Sequence, residues 1–150
     1  MQVHAGCAIP EEVLYSLEHD NWVRLEDDGS AVVGMTDVAQ SRCGKLVSLT
    51  FKRVGRRIAR GRTVAVIESA KWVGPFPAPV SGTLLATNGE AFAADPLLAN
   101  RDPYGAGWLA RIAPDALDDE RPLLADGLVA FHYYRELLDR EGLSCMRCAD

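Results

Sequence analysis

The stretch from Val64 to Ala86 constrains the fold more than any other part of the chain. Val64-Ala65-Val66-Ile67 is apolar and ends in a polar patch, and Gly82-Thr83-Leu84-Leu85-Ala86 resumes the apolar pattern beyond a bend. Two short apolar runs bounded by turn residues read as the strands of a hairpin. Pro75, Pro77 and Pro79 fall within five residues and withdraw amide donors, so the returning segment is expected to be a stiff, extended edge. That leaves Lys71 at an exposed tip. A catalytic lysine needs burial to lower its pKa, whereas a displayed one stays solvated and open to a modifying enzyme.

At 150 residues the chain is one domain's worth, long enough for a real core. Its formal net charge of −5 argues against a general nucleic-acid binder. No apolar run is long enough to cross a bilayer, which argues against a membrane role. Ala5-Gly6-Cys7 looks superficially like a lipoprotein cleavage site, but no charged start or apolar segment accompanies it, and no transit-peptide composition is present. The expected setting is a prokaryotic cytoplasm, with the four cysteines mostly reduced.

Residues 1–9 read as a flexible end, 10–142 as the folded domain and 143–150 as a flexible tail carrying Cys145-Met146-Arg147-Cys148. Pro10 to Leu17 fits either a helical turn or an extended lead-in. Asp27-Asp28-Gly29-Ser30 is a hairpin turn, since Asp-Gly suits a positive φ. Thr36 should cap a short helix from Asp37 to Arg42, stopped by Gly44. Lys45 to Phe51 and Thr63 to Ile67 read as strands around Gly55 and Gly61, and Gly82 to Thr87 with Pro96 to Ala99 repeats that layout. A mainly β fold is expected, a flattened sandwich of two pseudo-symmetric halves that cover each other's apolar faces. Asp126 should cap a C-terminal helix running to Glu141, with Leu128, Phe131, Tyr134 and Leu138 on its packed face and Gly142 at its end.

Glu68-Ser69-Ala70-Lys71 with Pro79-Val80-Ser81-Gly82 resembles the lipoylation hairpin of the glycine-cleavage H protein family. The modified lysine there lies three residues after a glutamate and eleven before a glycine, spacings that Glu68, Lys71 and Gly82 meet. Ala70 and Trp72 do not fit the methionines of biotin carriers, nor does Ala70 fit the aspartate usual in 2-oxo acid dehydrogenase lipoyl domains. Gly34-Met35-Thr36-Asp37, and Asn100 with Pro103-Tyr104-Gly105-Ala106-Gly107-Trp108, are similar to the same family. The resemblance implies a lipoyl-type hybrid β-barrel, lipoate in amide linkage on Lys71, and no catalytic residues of its own. Glu68, Ser69, Trp72 and Gly82 would be the recognition features of the hairpin. Amide formation would take the net charge from −5 to −6.

The run Lys71-Trp72-Val73-Gly74-Pro75-Phe76 departs from ordinary H proteins and most resembles the H-like lipoate-binding proteins that serve heterodisulfide-reductase-like sulfur oxidation. The reading is therefore a sulfur-carrying lipoyl protein working with such a complex. The alternatives are a glycine-cleavage carrier of aminomethyl groups and an unmodified binding scaffold. A lipoate-attaching enzyme and dihydrolipoamide dehydrogenase are implied as partners in either carrier role. Trp72 is either a docking surface or a packing residue. His19 reads as structural, and Tyr104 and Trp108 as apolar anchors. Lys52 to Arg62 holds six cations, read as a solvated turn or as a docking patch for an acidic partner. Cys145 and Cys148 are either inert thiols or able to exchange with dihydrolipoate. Cys43 reads as a buried structural thiol, and one close cysteine pair with two scattered thiols is a poor zinc site.

Overall fold

The computed structural model describes residues 1–147. Gln2–His4 (β1) and Cys7–Ile9 (β2) form an antiparallel hairpin whose turn, Ala5-Gly6, has positive φ at both residues. Residues 1–9 are therefore structured rather than loose, and Cys7, Ala8 and Ile9 are buried. Three apolar residues in a row anchor the segment against the body of the protein. Residues 10–17 take the extended option, with Leu14–Ser16 (β3) pairing to Asn21–Leu25 (β4). Asp27-Asp28-Gly29-Ser30 turns the chain as expected, with Gly29 at φ 87°. Ala31–Met35 (β5) then returns beside β4.

The short helix Asp37–Cys43 (α1) starts where Thr36 accepts a hydrogen bond from the Ala39 amide at 3.0 Å, and it stops at Gly44 with φ 84°. Leu46–Phe51 (β6), Arg57–Ile58 (β7), Thr63–Ser69 (β8) and Val73–Pro77 (β9) follow, with Gly55 and Gly61 both at positive φ in the connecting loop. Gly82–Thr87 (β10) leads to helices Gly89–Ala94 (α2) and Leu98–Arg101 (α3), then to Ala110–Pro114 (β11). Leu117–Glu120 (α4) and a single 3-10 turn at Arg121–Leu123 precede the long helix Gly127–Glu141 (α5).

The strands make a six-stranded sheet in the order β3-β4-β5-β11-β10-β7 and a three-stranded sheet in the order β6-β8-β9. Side chains alternate across a strand, and both alternating sets here are apolar. Val23 and Val33 point into the core shared with the small sheet, while Trp22 and Val32 point to the opposite face. That second face is covered by α5 and the β1–β2 hairpin, through Cys7, Ile9, Ala130, Tyr134 and Leu138. The fold is mainly β, with two sheets facing each other and the two expected helices in place.

Several expectations needed correction. Pro96 to Ala99 is not a strand: the second half of the molecule replaces it with α2 and α3, because Gly89-Glu90-Ala91-Phe92-Ala93-Ala94 is rich in alanine, the strongest helix former. Ile58 and Phe92, one from each half, still reach the same core. Gly82 to Ala86 is not the return strand of the Lys71 hairpin. β9 is that strand, so the three prolines lie on or just beyond the edge strand of the small sheet. On α5 the buried stripe is Ala130, Tyr134, Leu137 and Leu138, and Leu128 is exposed. The helix is capped by Asp126 and ends at Gly142 as expected, and Phe131, Tyr134 and Leu138 pack on the second core, so the misreading is confined to Leu128.

The tail also differs. Cys145 is disulfide-bonded to Cys7, not left as a reduced thiol. The Cys145 amide donates to the Ala5 carbonyl, Gln40 and Ser41 donate to the Met146 carbonyl, and Arg147 pairs with the fully buried Asp37. The two chain ends meet because β1–β2 and the tail flank the same helix, which nothing in the local sequence announces. Cys148 lies outside the described residues.

Candidate functional site

The β8–β9 hairpin closes with a two-residue loop, Ala70-Lys71, since Glu68 pairs with Val73 and the Ser69 amide donates to the Trp72 carbonyl at 2.7 Å. Ser69 is the organiser of this loop. It is buried, its hydroxyl donates to the Trp72 carbonyl, and it accepts from the Lys71 amide. The Ala70 amide donates to the Lys45 carbonyl, which ties the tip to the lead-in of β6. Every backbone constraint on the loop thus comes from its neighbours, and the Lys71 side chain is left exposed.

Trp72 is 44% exposed and does not join a core. Its indole folds back over its own strand onto Gly74, where a Cβ would stand 2.0 Å from the ring. Trp72 thus packs locally on Gly74 and stays partly exposed. Lys71 extends the other way, across Gly44, its Cε 3.1 Å from where a Gly44 Cβ would be. Glu68 is exposed and accepts only a 3.3 Å bond from Ser48, so it lies beside the loop without shaping it. Gly82 is not brought to the site. It begins β10 in the other sheet, where a Cβ would lie 2.1 Å from the Ala113 carbonyl oxygen, so close strand packing requires a glycine there.

A groove of about 530 Å³ runs from Lys71 along β9. Its apolar walls are Met35, Ile67, Trp72, Phe76 and Cys43, and its polar rim is Arg42, Glu18, His19 and Asp20. The 17–20 loop closes the far end, near Pro77, whose carbonyl accepts from Asn21. Asp20 sits at φ 58°, the left-handed conformation that lets this four-residue loop rejoin β4. It accepts hydrogen bonds from Tyr134 at 2.6 Å and Thr36 at 3.0 Å. Burial raises the Asp20 pKa, and those two bonds oppose the rise. His19 bonds to Ser16 at 2.8 Å, and burial followed by the Arg60 charge pushes its pKa down, against the pull of Glu18. Burial pushes the Cys43 thiol up, so it stays protonated beside Lys71.

Of the residues singled out in sequence, Ser69, Lys71 and Trp72 meet at the tip, with Glu68 at its edge. The groove residues Met35, Arg42, Cys43 and His19 were not recognised as one surface, because they come from three segments joined only by the fold. Gly44, read only as a helix stop, also supplies the clearance for the Lys71 stem.

A tip that displays its lysine above an apolar groove is an arrangement suited to a carrier domain, with a group attached covalently at the lysine. The family model described as glycine cleavage H-protein matches residues 13–137. A protein of Sulfolobus acidocaldarius called probable glycine cleavage system H protein 2 is 43% identical over 98% of this chain and 99% of its own. The glycine cleavage system H protein of a Psychrobacter strain is 44% identical over 78% of this chain and 91% of its own. A crystal structure of a glycine cleavage system H protein from Mycobacterium marinum superposes with a TM-score of 0.72 at 31% identity, covering 90% of this chain and all of that one. The chain belongs to the glycine cleavage H-protein family, whose members carry lipoate covalently on a lysine and are carriers rather than catalysts.

Proposed function

We propose that this protein is a lipoyl carrier with Lys71 as its attachment point, and that its cargo is the aminomethyl group passed between the enzymes of glycine cleavage. The carrying observation is the exposed Lys71 on a loop fixed by Ser69, opening onto the groove along β9. The residues present suit the group: the Gly44 surface clears the lysine stem, and the walls of the groove are apolar along its length. When bound, lipoate supplies a disulfide that opens to two thiols and closes again. The chain's own part is to hold the tip rigid, shelter an uncharged arm from water and place Glu18 and Asp20 at the far end of the groove. Carboxylates there suit a cationic end group on an otherwise apolar tether. Tethering raises the local concentration of the cargo at each partner. The partners are a lipoate-attaching enzyme, the glycine-cleavage enzymes and dihydrolipoamide dehydrogenase. No helix among the described residues is long and apolar enough to cross a membrane.

A second reading has one observation in its favour. Trp72, 44% exposed and packed over Gly74, places an aromatic face beside the lysine, where ordinary H proteins carry small or acidic residues. That face suits a different docking partner, and the heterodisulfide-reductase-like complex of sulfur oxidation is the one that the sequence run suggests. Intact-mass spectrometry of the protein from its native source, under non-reducing conditions, separates the two. An aminomethyl adduct on the Lys71 arm supports the first reading, and added sulfur overturns it in favour of the second.

A further inference from the structure

Lys71 borders not one depression but two. Besides the groove along β9, a smaller hollow of about 320 Å³ lies between α1 and the tail, with Lys71, Arg42 and Ser41 on one side and Leu138, Ser144 and Cys145 on the other. The lysine stem crosses Gly44 at the end of α1, between the two. The hollow ends at the Cys7–Cys145 disulfide, which joins positions 138 apart in the chain. The two sulfurs are not equivalent. Cys7 is fully buried among Ile9, Val13 and Val38, whereas Cys145 is partly exposed and lines the hollow. Cys43, the free thiol near Lys71, is buried and held protonated, so it does not compete as an exchanging thiolate.

We propose that the Cys7–Cys145 disulfide is a second redox centre of this protein, reduced by the dithiol form of the lipoyl arm on Lys71. This rests on the reading of Lys71 as the lipoylated residue. The step is thiol–disulfide exchange within one molecule. Cys145 is the sulfur attacked and Cys7 the sulfur that leaves. The Cys7–Cys145 bond breaks, a bond forms between the two sulfurs of the arm, and two protons pass from the arm thiols to Cys7 and Cys145. Two electrons move with them, and no other oxidant or reductant takes part. Attachment at Lys71 keeps the arm at high local concentration beside Cys145, which makes exchange within the chain faster than exchange with free thiols. Reduction removes the covalent tie between the first hairpin and the tail. Among the described residues the tail is then held by its hydrogen bonds, the packing of Leu143 and Cys145 and the Arg147–Asp37 pair, with no covalent tie, so the state of the arm is written into the wall of the hollow beside it.

The test uses the full chain, lipoylated on Lys71, with catalytic dihydrolipoamide dehydrogenase and a known excess of NADH in the absence of oxygen. The lipoylated protein should consume two equivalents of NADH, one for the arm and one for the disulfide, and alkylation followed by peptide mapping should label Cys7 and Cys145. The lipoylated Cys7→Ser, Cys145→Ser variant should consume one. One equivalent with Cys7 and Cys145 unlabelled overturns the inference while leaving the carrier reading intact. Labelling of both cysteines in unlipoylated protein under the same conditions overturns it as well, since the arm would then be unnecessary. A chain that a lipoate-attaching enzyme does not load at Lys71 consumes none, and overturns the carrier reading and this inference together.

Discussion

Gly34 faces Trp22 across the β4–β5 pair, and the consequence of filling that space can be worked through. A Cβ at Gly34 would lie 2.6 to 2.8 Å from Cζ2, Cε2 and Nε1 of the indole, well inside contact distance. Trp22 is fully buried, so it has no solvent to swing into. Its N–H donates to the Pro103 carbonyl at 3.0 Å, a bond that fixes the 101–108 loop against the sheet. Overpacking a tight core costs ~1–3 kcal/mol, and leaving a buried donor or acceptor unpaired costs a further ~1–3 kcal/mol. The gain from replacing glycine by alanine, through a less flexible unfolded chain, is ~0.4–1 kcal/mol and does not win. The net loss expected for Gly34→Ala is ~2–4 kcal/mol, which for a chain of this length lowers Tm by roughly 10 °C. Thermal and urea unfolding followed by circular dichroism measure it. Phenylalanine has no atom equivalent to Cζ2, the nearest of the three contacts, and no N–H to leave unpaired. In a Trp22→Phe background, Gly34→Ala should therefore cost less than half as much. A Gly34→Ala protein that melts within 2 °C of the parent, or strictly additive losses in the double variant, would refute this reasoning.

Three further outcomes are expected. Asp20→Asn keeps a neutral acceptor for Tyr134 and Thr36. Because burial raises the Asp20 pKa, the folded state loses stability as pH rises from the ordinary value of 3.8 through the raised one, and the variant should gain on the parent as pH rises above 3.8 in urea titrations at several pH values. His19 runs the opposite way: its lowered pKa means that stability is fully present above about 6.5 and is lost as pH falls below it. The fall below pH 6.5 should be shallower in His19→Gln. Asp126 accepts from the Val129 amide at 2.9 Å as the cap of α5, so Asp126→Ala should cost about 1 kcal/mol in the same unfolding assays.

What could be read in the sequence was what short-range chemistry dictates. Thr36, Asp126 and Gly142 act at their own helix ends, Gly29 makes its own turn, and the prolines around β9 keep that strand at an edge whatever lies beside it. Lys71 was legible for the same reason, because a tight loop exposes its side chain without help from distant residues. The long-range partners were not legible. Cys145 reads as half of a local CxxC until the fold brings Cys7 to it, and the groove is assembled from β5, α1, β9 and the 17–20 loop. Ala91, Ala93 and Ala94 carried a helix signal that the apparent internal repeat overrode, and Leu128 lay one turn position off the true buried stripe. Gly82 matched a spacing but serves strand packing, so correct spacing alone did not make it part of the site.

The central claim is that Lys71 alone receives the lipoyl group. The chain has three lysines, Lys45, Lys52 and Lys71, which makes the test direct. Purified protein would be incubated with lipoate, ATP and a lipoate-attaching enzyme, then digested and mapped by mass spectrometry beside a Lys71→Arg variant. Lipoate confined to Lys71, and absent from the variant, is the expected result. Lipoate on Lys45 or Lys52, or a Lys71 that stays bare under every loading condition, would contradict the account.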